Sequence, residues 1–142
     1  MAHSSVENLM HIIFSAKNRD PIIHPNIENR LYAYLGGLAS KRKSPIIRIN
    51  GTQNHIHLLL KLHPDVPLST LIRELKSYST GWLKKEGYTL FSWQIGYGGH
   101  SCLKPRIDRL IEYIDNQKKH HENQTFEEEL NILKQKYGVN WN

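Results

Sequence analysis

Cysteine is almost absent from this 142-residue chain, in which Cys102 is the only one. A single thiol cannot form an intrachain disulfide, so the chain lacks the cross-links on which small secreted domains depend. No apolar run approaches the ~20 residues that a membrane-spanning helix requires. The N-terminal residues 1–5 also lack the charged and apolar regions of a secretory leader. We therefore expect a single domain over residues 1–142 in the cytoplasm, with no contact to a membrane.

Several motifs of phosphate chemistry are also missing. The sequence contains no Gly-x-x-x-x-Gly-Lys-[Ser/Thr] loop, which argues against a P-loop nucleotide hydrolase. Histidine-triad hydrolases need a third alternate histidine where this chain has Leu59, and two-histidine phosphoesterases need a second His-x-[Ser/Thr] motif that is not present. Any phosphate chemistry must therefore use a different set of residues.

Acidic residues are scarce in the body of the chain. Residues 1–121 hold 17 Lys and Arg against 9 Asp and Glu, whereas residues 122–142 hold 2 against 4. A basic body attracts polyanions such as nucleic acids, although the same charge can also serve solubility alone. Five basic residues are the predicted contacts to such a polyanion: Lys17, Lys76, Lys84, Lys85 and Arg106.

The hydrophobic periodicity predicts an α+β fold. Short apolar runs predict strands, apolar residues at helical spacing predict helices, and Pro and Gly separate them. The predicted strands are Leu9–Ser15, Ile46–Ile49, His55–Leu60 and Leu90–Tyr97, and the predicted helices are Asn26–Lys41, Leu68–Lys85, Pro105–His121 and Thr125–Tyr137, the last with a capping box at Thr125 and Glu128. This order is typical of a ferredoxin-like (RRM-like) antiparallel sheet with helices packed on one face, followed by two C-terminal helices. The other sheet face is expected to remain open for a ligand.

Two histidines in one short apolar run form the most informative motif. His55 and His57 flank Ile56, and because side chains alternate along a strand, both imidazoles share one face. Such a pair can hold a divalent metal or a phosphate on a rigid backbone. Taken alone, the pair also fits a half-buried strand whose imidazoles hydrogen-bond to their neighbours.

The helix predicted from Pro105 carries a second polar group. Tyr113 and Gln117 are four residues apart and share a face with His120, beside the expected apolar stripe. A phenol there could act as a nucleophile, and the amide oxygen of Gln117 could reach the same metal. A lone tyrosine at this boundary equally describes an aromatic residue with its hydroxyl in water. His120 and His121 are expected to complement the C-terminus of the helix rather than bind metal.

Together these motifs resemble the small HUH-type transposases with a single catalytic tyrosine. The resemblance rests on His55-Ile56-His57 and on the segments Trp93–Gly98 and Tyr113–Gln117, followed by His120-His121, in the order and spacing of that family. The segment Ile12–Lys17 is also similar to the family's first strand, so nearly the whole chain takes part. Members of the family mobilise single-stranded insertion sequences, and relatives act at repetitive extragenic palindromes.

The resemblance implies a role for each residue. His55, His57 and Gln117 would be ligands of a divalent metal, Mg²⁺ or Mn²⁺, and Tyr113 would be the nucleophile. Such a DNA transposase cleaves and rejoins single-stranded DNA at hairpin-flanked element ends through a covalent 5′-phosphotyrosine. It would be a prokaryotic, nucleoid-associated homodimer whose active sites can be shared between protomers.

Two features depart from the family pattern. Asn54 stands where many relatives have Asp, and a segment with His100 replaces the commoner Gly-Ala-Phe-Ser kind of sequence. The chain could alternatively be a non-catalytic regulator that binds single-stranded nucleic acid with aromatic residues such as Trp82, Trp93 and Tyr97. Tyr113 distinguishes the two interpretations, because strand cleavage requires its hydroxyl and binding does not.

Overall fold

The computed structural model describes residues 5–140, which form four strands and five α-helices. The strands are β1 (Leu9–Ser15), β2 (Ile46–Gly51), β3 (His55–Lys61) and β4 (Gly98–Cys102). The helices are α1 (Pro25–Lys41), α2 (Leu68–Lys85), α3 (Ile107–Asp115), α4 (Gln117–His120) and α5 (Phe126–Tyr137). Within the described part of the chain, no helix is both long and apolar enough to cross a bilayer.

The four strands form one antiparallel sheet in the order β2-β3-β1-β4. This is the strand order of the ferredoxin-like α+β fold, so the predicted fold class is confirmed. The central strands β1 and β3 pair along their whole length, from Leu9 opposite Lys61 to Ser15 opposite His55. This register places alternate residues of the two strands on the same face of the sheet.

One face of the sheet packs against α1 and α2. It presents Ile12 and Phe14 of β1 together with Ile56 and Leu58 of β3, all fully buried. Each helix turns an apolar stripe towards them, as helical spacing predicts. The buried residues of these stripes are Ile27, Leu31, Leu35 and Ala39 in α1 and Leu71, Ile72, Leu75 and Leu83 in α2.

The opposite face carries the histidines and is not open, so that prediction is wrong. Helix α5 lies over it and packs Phe126, Leu130 and Leu133 against Ile13. The predicted capping box at Thr125 and Glu128 is present and fixes the start of this helix. Because α5 is amphipathic, it needs an apolar surface to cover, and the histidine face supplies one.

The fourth strand begins eight residues later than predicted. The segment Leu90–Tyr97 contributes only an isolated bridge between Trp93 and Ala16, whereas β4 begins at Gly98. Gly98 and Gly99, which are residues typical of a break, are instead the first two residues of this strand. A Cβ atom on Gly99 would lie 2.6 Å from Cδ1 of Ile12, so glycine is the residue that lets β4 approach β1.

The single helix predicted from Pro105 to His121 is two helices, α3 and α4, which join at Asn116. The break between the two helices is caused by Asn50 of β2. The side-chain amide of Asn50 donates to the carbonyl oxygens of Ile114 at 2.9 Å and Asp115 at 3.2 Å. In a continuous helix these two carbonyl oxygens would accept hydrogen bonds from backbone N–H groups of the next turn. The contact ties the end of α3 to the sheet.

Candidate active site

The two histidines of the His-Ile-His motif lie on central strand β3. His55 and His57 are fully buried, and their ring centroids are 5.1 Å apart. Hydrogen bonds to β1 and β2 fix the backbone of this strand on both sides. The two imidazoles therefore share one face of a rigid sheet, as the alternation of a strand predicts.

His57 is the inner end of a chain of three histidines. Its Nδ1 lies 2.8 Å from Nε2 of His11, and Nδ1 of His11 lies 2.9 Å from Nε2 of His100. Nδ1 of His100 lies 3.0 Å from the carbonyl oxygen of Ser101, which can only accept, so His100 donates there. When all three rings are neutral, each Nδ1 donates outward and Nε2 of His57 keeps a lone pair that faces the site. Burial lowers the pKa of His11 and of His100, which keeps these rings neutral.

His55 is oriented by the turn that precedes β3. Its Nδ1 lies 2.7 Å from Oδ1 of Asn54, which also accepts from the hydroxyl of Thr52 at 2.9 Å. Nδ1 of His55 therefore donates, and its Nε2 also presents a lone pair to the site. Burial lowers the pKa of His55 to about 4, so the ring is neutral at physiological pH. Asn54 thus holds the ring even though it replaces the Asp of many relatives.

Tyr113 and Gln117 reach the same place from α3 and α4. Gln117 is fully buried, and its Oε1 lies 3.0 Å from Nε2 of His55. Tyr113 is partly buried, and its ring centroid lies 5.7 Å from that of His57. Burial raises the pKa of the Tyr113 phenol, and the charge of nearby Glu129 raises it further, so the phenol retains its proton at neutral pH. The structure therefore brings together the four residues that the sequence placed in the catalytic centre.

Glu129 lies at the middle of the site and was missed by the sequence analysis. It is 1% exposed, and its Oε1 lies 3.2 Å from Nε2 of His57 and 3.3 Å from Nε2 of His55. Its Oε2 accepts hydrogen bonds from the hydroxyl of Tyr113 and, at 2.7 Å, from the amide of Gln117. The sequence carries one signal that could have revealed Glu129: it is a carboxylate at a position of α5 where helical spacing predicts an apolar residue.

His121 also contacts the carboxylate of Glu129. It follows α4 at the C-terminus of that helix, as expected, but its Nε2 lies 3.0 Å from Oε1 of Glu129. Burial lowers the pKa of His121, but the hydrogen bond and charge of Glu129 outweigh this effect and raise it overall. His120 is exposed, and its ring centroid lies 5.3 Å from that of Tyr113.

The donor set fits a divalent cation. Two imidazole lone pairs, from His55 and His57, converge on the carboxylate of Glu129 and on Oε1 of Gln117. All these atoms are electron-pair donors, and a cation between them would turn their mutual repulsion into coordination. The ligand atoms of His55, His121 and Glu129 lie within 4.8 Å of one another, which is close enough to share one ion.

The predicted DNA contacts do not form one cluster. Lys76, Lys84 and Lys85 lie on α2, which packs on the sheet face opposite the histidines. Lys84 and Lys85 are exposed, whereas Nζ of Lys76 donates to the carbonyl oxygens of Gln94 and Gly96. Lys17 is exposed just after β1.

Arg106 is the predicted DNA contact that lies near Tyr113. Both residues line a cleft of about 510 Å³ on the histidine side of the sheet. Arg109 and Lys136 line the same cleft, so its wall is basic. The stacked rings of His100 and Tyr137, with centroids 3.9 Å apart, form another part of the wall. Arg109 and Lys136 were not among the predicted DNA contacts.

Two solved structures have the same fold. A crystal structure of a candidate transposase from Deinococcus radiodurans superposes with a TM-score of 0.61 over 82% of this chain and 96% of that chain, at 19% identity. A REP-associated tyrosine transposase bound to a REP hairpin superposes with a TM-score of 0.65 over 85% of this chain and 74% of that chain, at 17% identity. No match was found among curated proteins.

The sequence itself carries the family signal. Residues 4–117 match the family model described as "Transposase IS200 like". The match includes the His55-Ile56-His57 motif and extends through Tyr113 to Gln117, and it ends before His121 and Glu129. Because the match spans most of the chain, this protein belongs to the family of IS200-like transposases.

Proposed function

We propose that this transposase cleaves and rejoins single-stranded DNA at hairpin-flanked element ends through a covalent 5′-phosphotyrosine on Tyr113. One observation carries the proposal: the hydroxyl of Tyr113 and the Nε2 atoms of His55 and His57 contact the same carboxylate, that of Glu129. A nucleophile and a set of metal donors therefore share one site. A protein that only binds DNA has no need for this arrangement.

His55, His57 and Gln117 would hold the divalent ion. When bound, the ion supplies Lewis-acid stabilisation of the charge that develops on the scissile phosphate. Mg²⁺ and Mn²⁺ both take the oxygen donors, and of the two Mn²⁺ suits the imidazole-rich donors better. The hydrogen bonds from Nδ1 of each histidine keep both lone pairs aimed at the ion.

Tyr113 performs the covalent step. Its Oη forms a bond to phosphorus while the bond from phosphorus to the DNA 3′ oxygen breaks. The phenolic proton passes to Oε2 of Glu129, which already accepts it in a hydrogen bond, and the departing 3′ oxygen takes a proton from water. The phosphodiester energy is conserved in the tyrosine ester, so a free 3′ hydroxyl can later attack it and rejoin the strand without nucleotide hydrolysis.

The basic cleft beside Tyr113 is the proposed path of the cleaved strand. Arg106, Arg109 and Lys136 offer cationic side chains to its backbone. Lys17, Lys76, Lys84 and Lys85 lie outside this cleft and remain the proposed contacts of the hairpin stem. A DNA hairpin fits this family, since the REP-associated transposase with the same fold is bound to a REP hairpin.

We propose that the protein acts as a homodimer, because each chain carries one such tyrosine and excision requires two cleavages. Within one protomer, Tyr113 already lies beside its own histidine pair. This supports an arrangement in cis, with exchange of α3 between protomers as the alternative. Light scattering of the purified protein measures the assembly directly.

The test is covalent trapping of DNA. Purified protein is incubated with Mn²⁺ or Mg²⁺ and single-stranded oligonucleotides from the hairpins that flank its own gene, and protein–DNA adducts stable to denaturant are measured. We expect an adduct with the wild type and none with Tyr113→Phe. The exposed Tyr78 provides a matched control, and Tyr78→Phe should form the adduct normally.

The regulator interpretation predicts a different result. Wild type and Tyr113→Phe would then bind the same strands with equal affinity, and neither would form an adduct with either ion. Gel-shift measurements on the same samples separate this outcome from a failure to bind the chosen DNA.

A further inference from the structure

The C-terminal part of the site lies outside everything that the family match covers. The match ends at residue 117, whereas His121 follows α4 and Glu129 lies in the first half of α5. Both side chains nevertheless enter the histidine site. His121 has a side-chain exposure of 10%, and that of Glu129 is 1%.

Glu129 occupies a position where a carboxylate is costly. It lies on the buried stripe of α5, whose other members, Phe126, Leu130 and Leu133, are all apolar. A carboxylate that is removed from water destabilises the fold strongly unless a partner compensates its charge. Every ion pair that the structure shows for Glu129 within residues 5–140 is to a histidine, not to a Lys or an Arg.

The ring nitrogens of these three histidines face one oxygen of the carboxylate. Nδ1 of His55 contacts Asn54 and Nδ1 of His57 contacts His11, which leaves Nε2 of each ring directed at Oε1 of Glu129. Nε2 of His121 approaches the same oxygen. The geometry thus gathers three imidazole nitrogens around one carboxylate oxygen, at 3.0 to 3.3 Å. Imidazole nitrogens and a carboxylate oxygen gathered in this way are typical metal donors.

We propose that His121 and Glu129 are ligands of the same divalent ion as the histidine pair, so that α5 completes the metal centre. This inference rests on the proposed function, which supplies the ion. Glu129 would bind the ion through Oε1 and hold the hydroxyl of Tyr113 through Oε2, linking the nucleophile to the metal. His121 and Glu129 would add their donors to those of His55, His57 and Gln117, and the ion would supply Lewis-acid stabilisation of the scissile phosphate.

The test is Mn²⁺ binding by the full chain without DNA, measured by calorimetry and by the Mn²⁺ paramagnetic resonance signal. Glu129→Gln keeps the size of the side chain but removes its charge, and His121→Gln removes the imidazole. We expect each variant to bind Mn²⁺ at least about tenfold more weakly than the wild type. Glu129→Asp keeps the charge on a shorter side chain and should fall between the wild type and Glu129→Gln.

Matched controls lie next to both residues. Glu127→Gln removes the same charge from α5, but Glu127 pairs with Arg19 at the surface. His120→Gln removes an exposed imidazole next to His121. Both controls should bind Mn²⁺ as the wild type does, and circular dichroism of every variant confirms that it is folded.

Three results would overturn the inference. If the wild type binds Mn²⁺ and folded Glu129→Gln and His121→Gln bind it equally well, the two residues are not ligands, and the proposed function is unaffected. If Glu129→Gln binds Mn²⁺ more tightly, Glu129 obstructs the site instead of completing it. If the wild type binds no Mn²⁺, the metal-dependent function fails together with the inference.

Discussion

Nε2 of His11 lies 2.8 Å from Nδ1 of His57, on the neighbouring strand of the sheet. His11 is buried and does not face the donor cluster itself, so it acts on the metal site only through His57. It fixes which nitrogen of His57 carries the proton.

Replacing His11 with Phe should weaken Mn²⁺ binding by about 10- to 100-fold, because His57 loses the acceptor that fixes its tautomer. His11→Gln should restore much of the affinity, since an amide can accept from His57 and donate to His100. Calorimetry measures the affinity, and ¹⁵N NMR of the imidazoles reports the tautomer of His57. His24→Gln changes an exposed histidine and serves as the control. Wild-type affinity in a folded His11→Phe protein would contradict the prediction.

Asn54→Asp should tighten Mn²⁺ binding several-fold. Oδ1 of Asn54 already accepts from Nδ1 of His55 at 2.7 Å, so a carboxylate in its place would make the same contact with a full charge. A charged acceptor strengthens that hydrogen bond and makes Nε2 a better donor to the metal. Titration of the variant and the wild type with Mn²⁺ checks this. An unchanged or weaker affinity would mean that Asn54 contributes geometry only.

Gly51→Ala should destabilise the fold by about 1–3 kcal/mol. A Cβ atom at this position would lie 2.1 Å from the carbonyl oxygen of His55, so the backbone that carries the histidine motif would have to shift. Gly37→Ala is the matched control, because nothing lies within 4 Å of a Cβ atom there. In the middle of α1, that change should stabilise the protein by roughly 0.5–1 kcal/mol. Urea denaturation measures the free energy of unfolding of both variants. A change in the same direction for both would contradict the prediction.

Lys76 should make stability rise with pH in the alkaline range. Burial lowers its pKa to about 8, whereas a lysine in an unfolded chain titrates near 10.4. Between these values the unfolded state binds more protons than the folded state, so the free energy of unfolding increases with pH. The difference in unfolding free energy between wild type and Lys76→Met should therefore increase from pH 8 to pH 10. Lys84→Met, which changes an exposed lysine of the same helix, is the control.

The sequence predicted most helices and strands because their apolar residues recur with clear periods. The bounds of β1 and α2 match the prediction at both ends. The position of β4 was mispredicted, since Gly98 and Gly99 have no side chain to contribute to such a pattern. Their role appears only when Ile12 lies opposite Gly99 in the paired sheet.

The same reasoning explains which part of the site could be predicted. The His55-Ile56-His57 motif and the spacing from Tyr113 to Gln117 are local patterns that one segment displays by itself. Glu129 is 72 residues from His57 along the chain, and the two meet only because α5 docks on the histidine face. His11 likewise depends on strand pairing, since its register places it directly opposite His100 on β4 and diagonally across from His57 on β3.

Docking of α5 has a thermodynamic consequence. Helix α5 is held to the sheet by the apolar contacts of Phe126, Leu130 and Leu133 with Ile13, and with Glu129 as a ligand it would also be held by the bound ion. An ion that binds only the docked helix stabilises that state by mass action, by about 2.7 kcal/mol at a free concentration one hundred times its dissociation constant. The equilibrium between docked and open α5 then depends on the metal concentration, and more metal favours the docked state. Amide hydrogens of this helix would exchange quickly without Mn²⁺ and slowly with it, because the open state would keep only the weaker donor set outside α5.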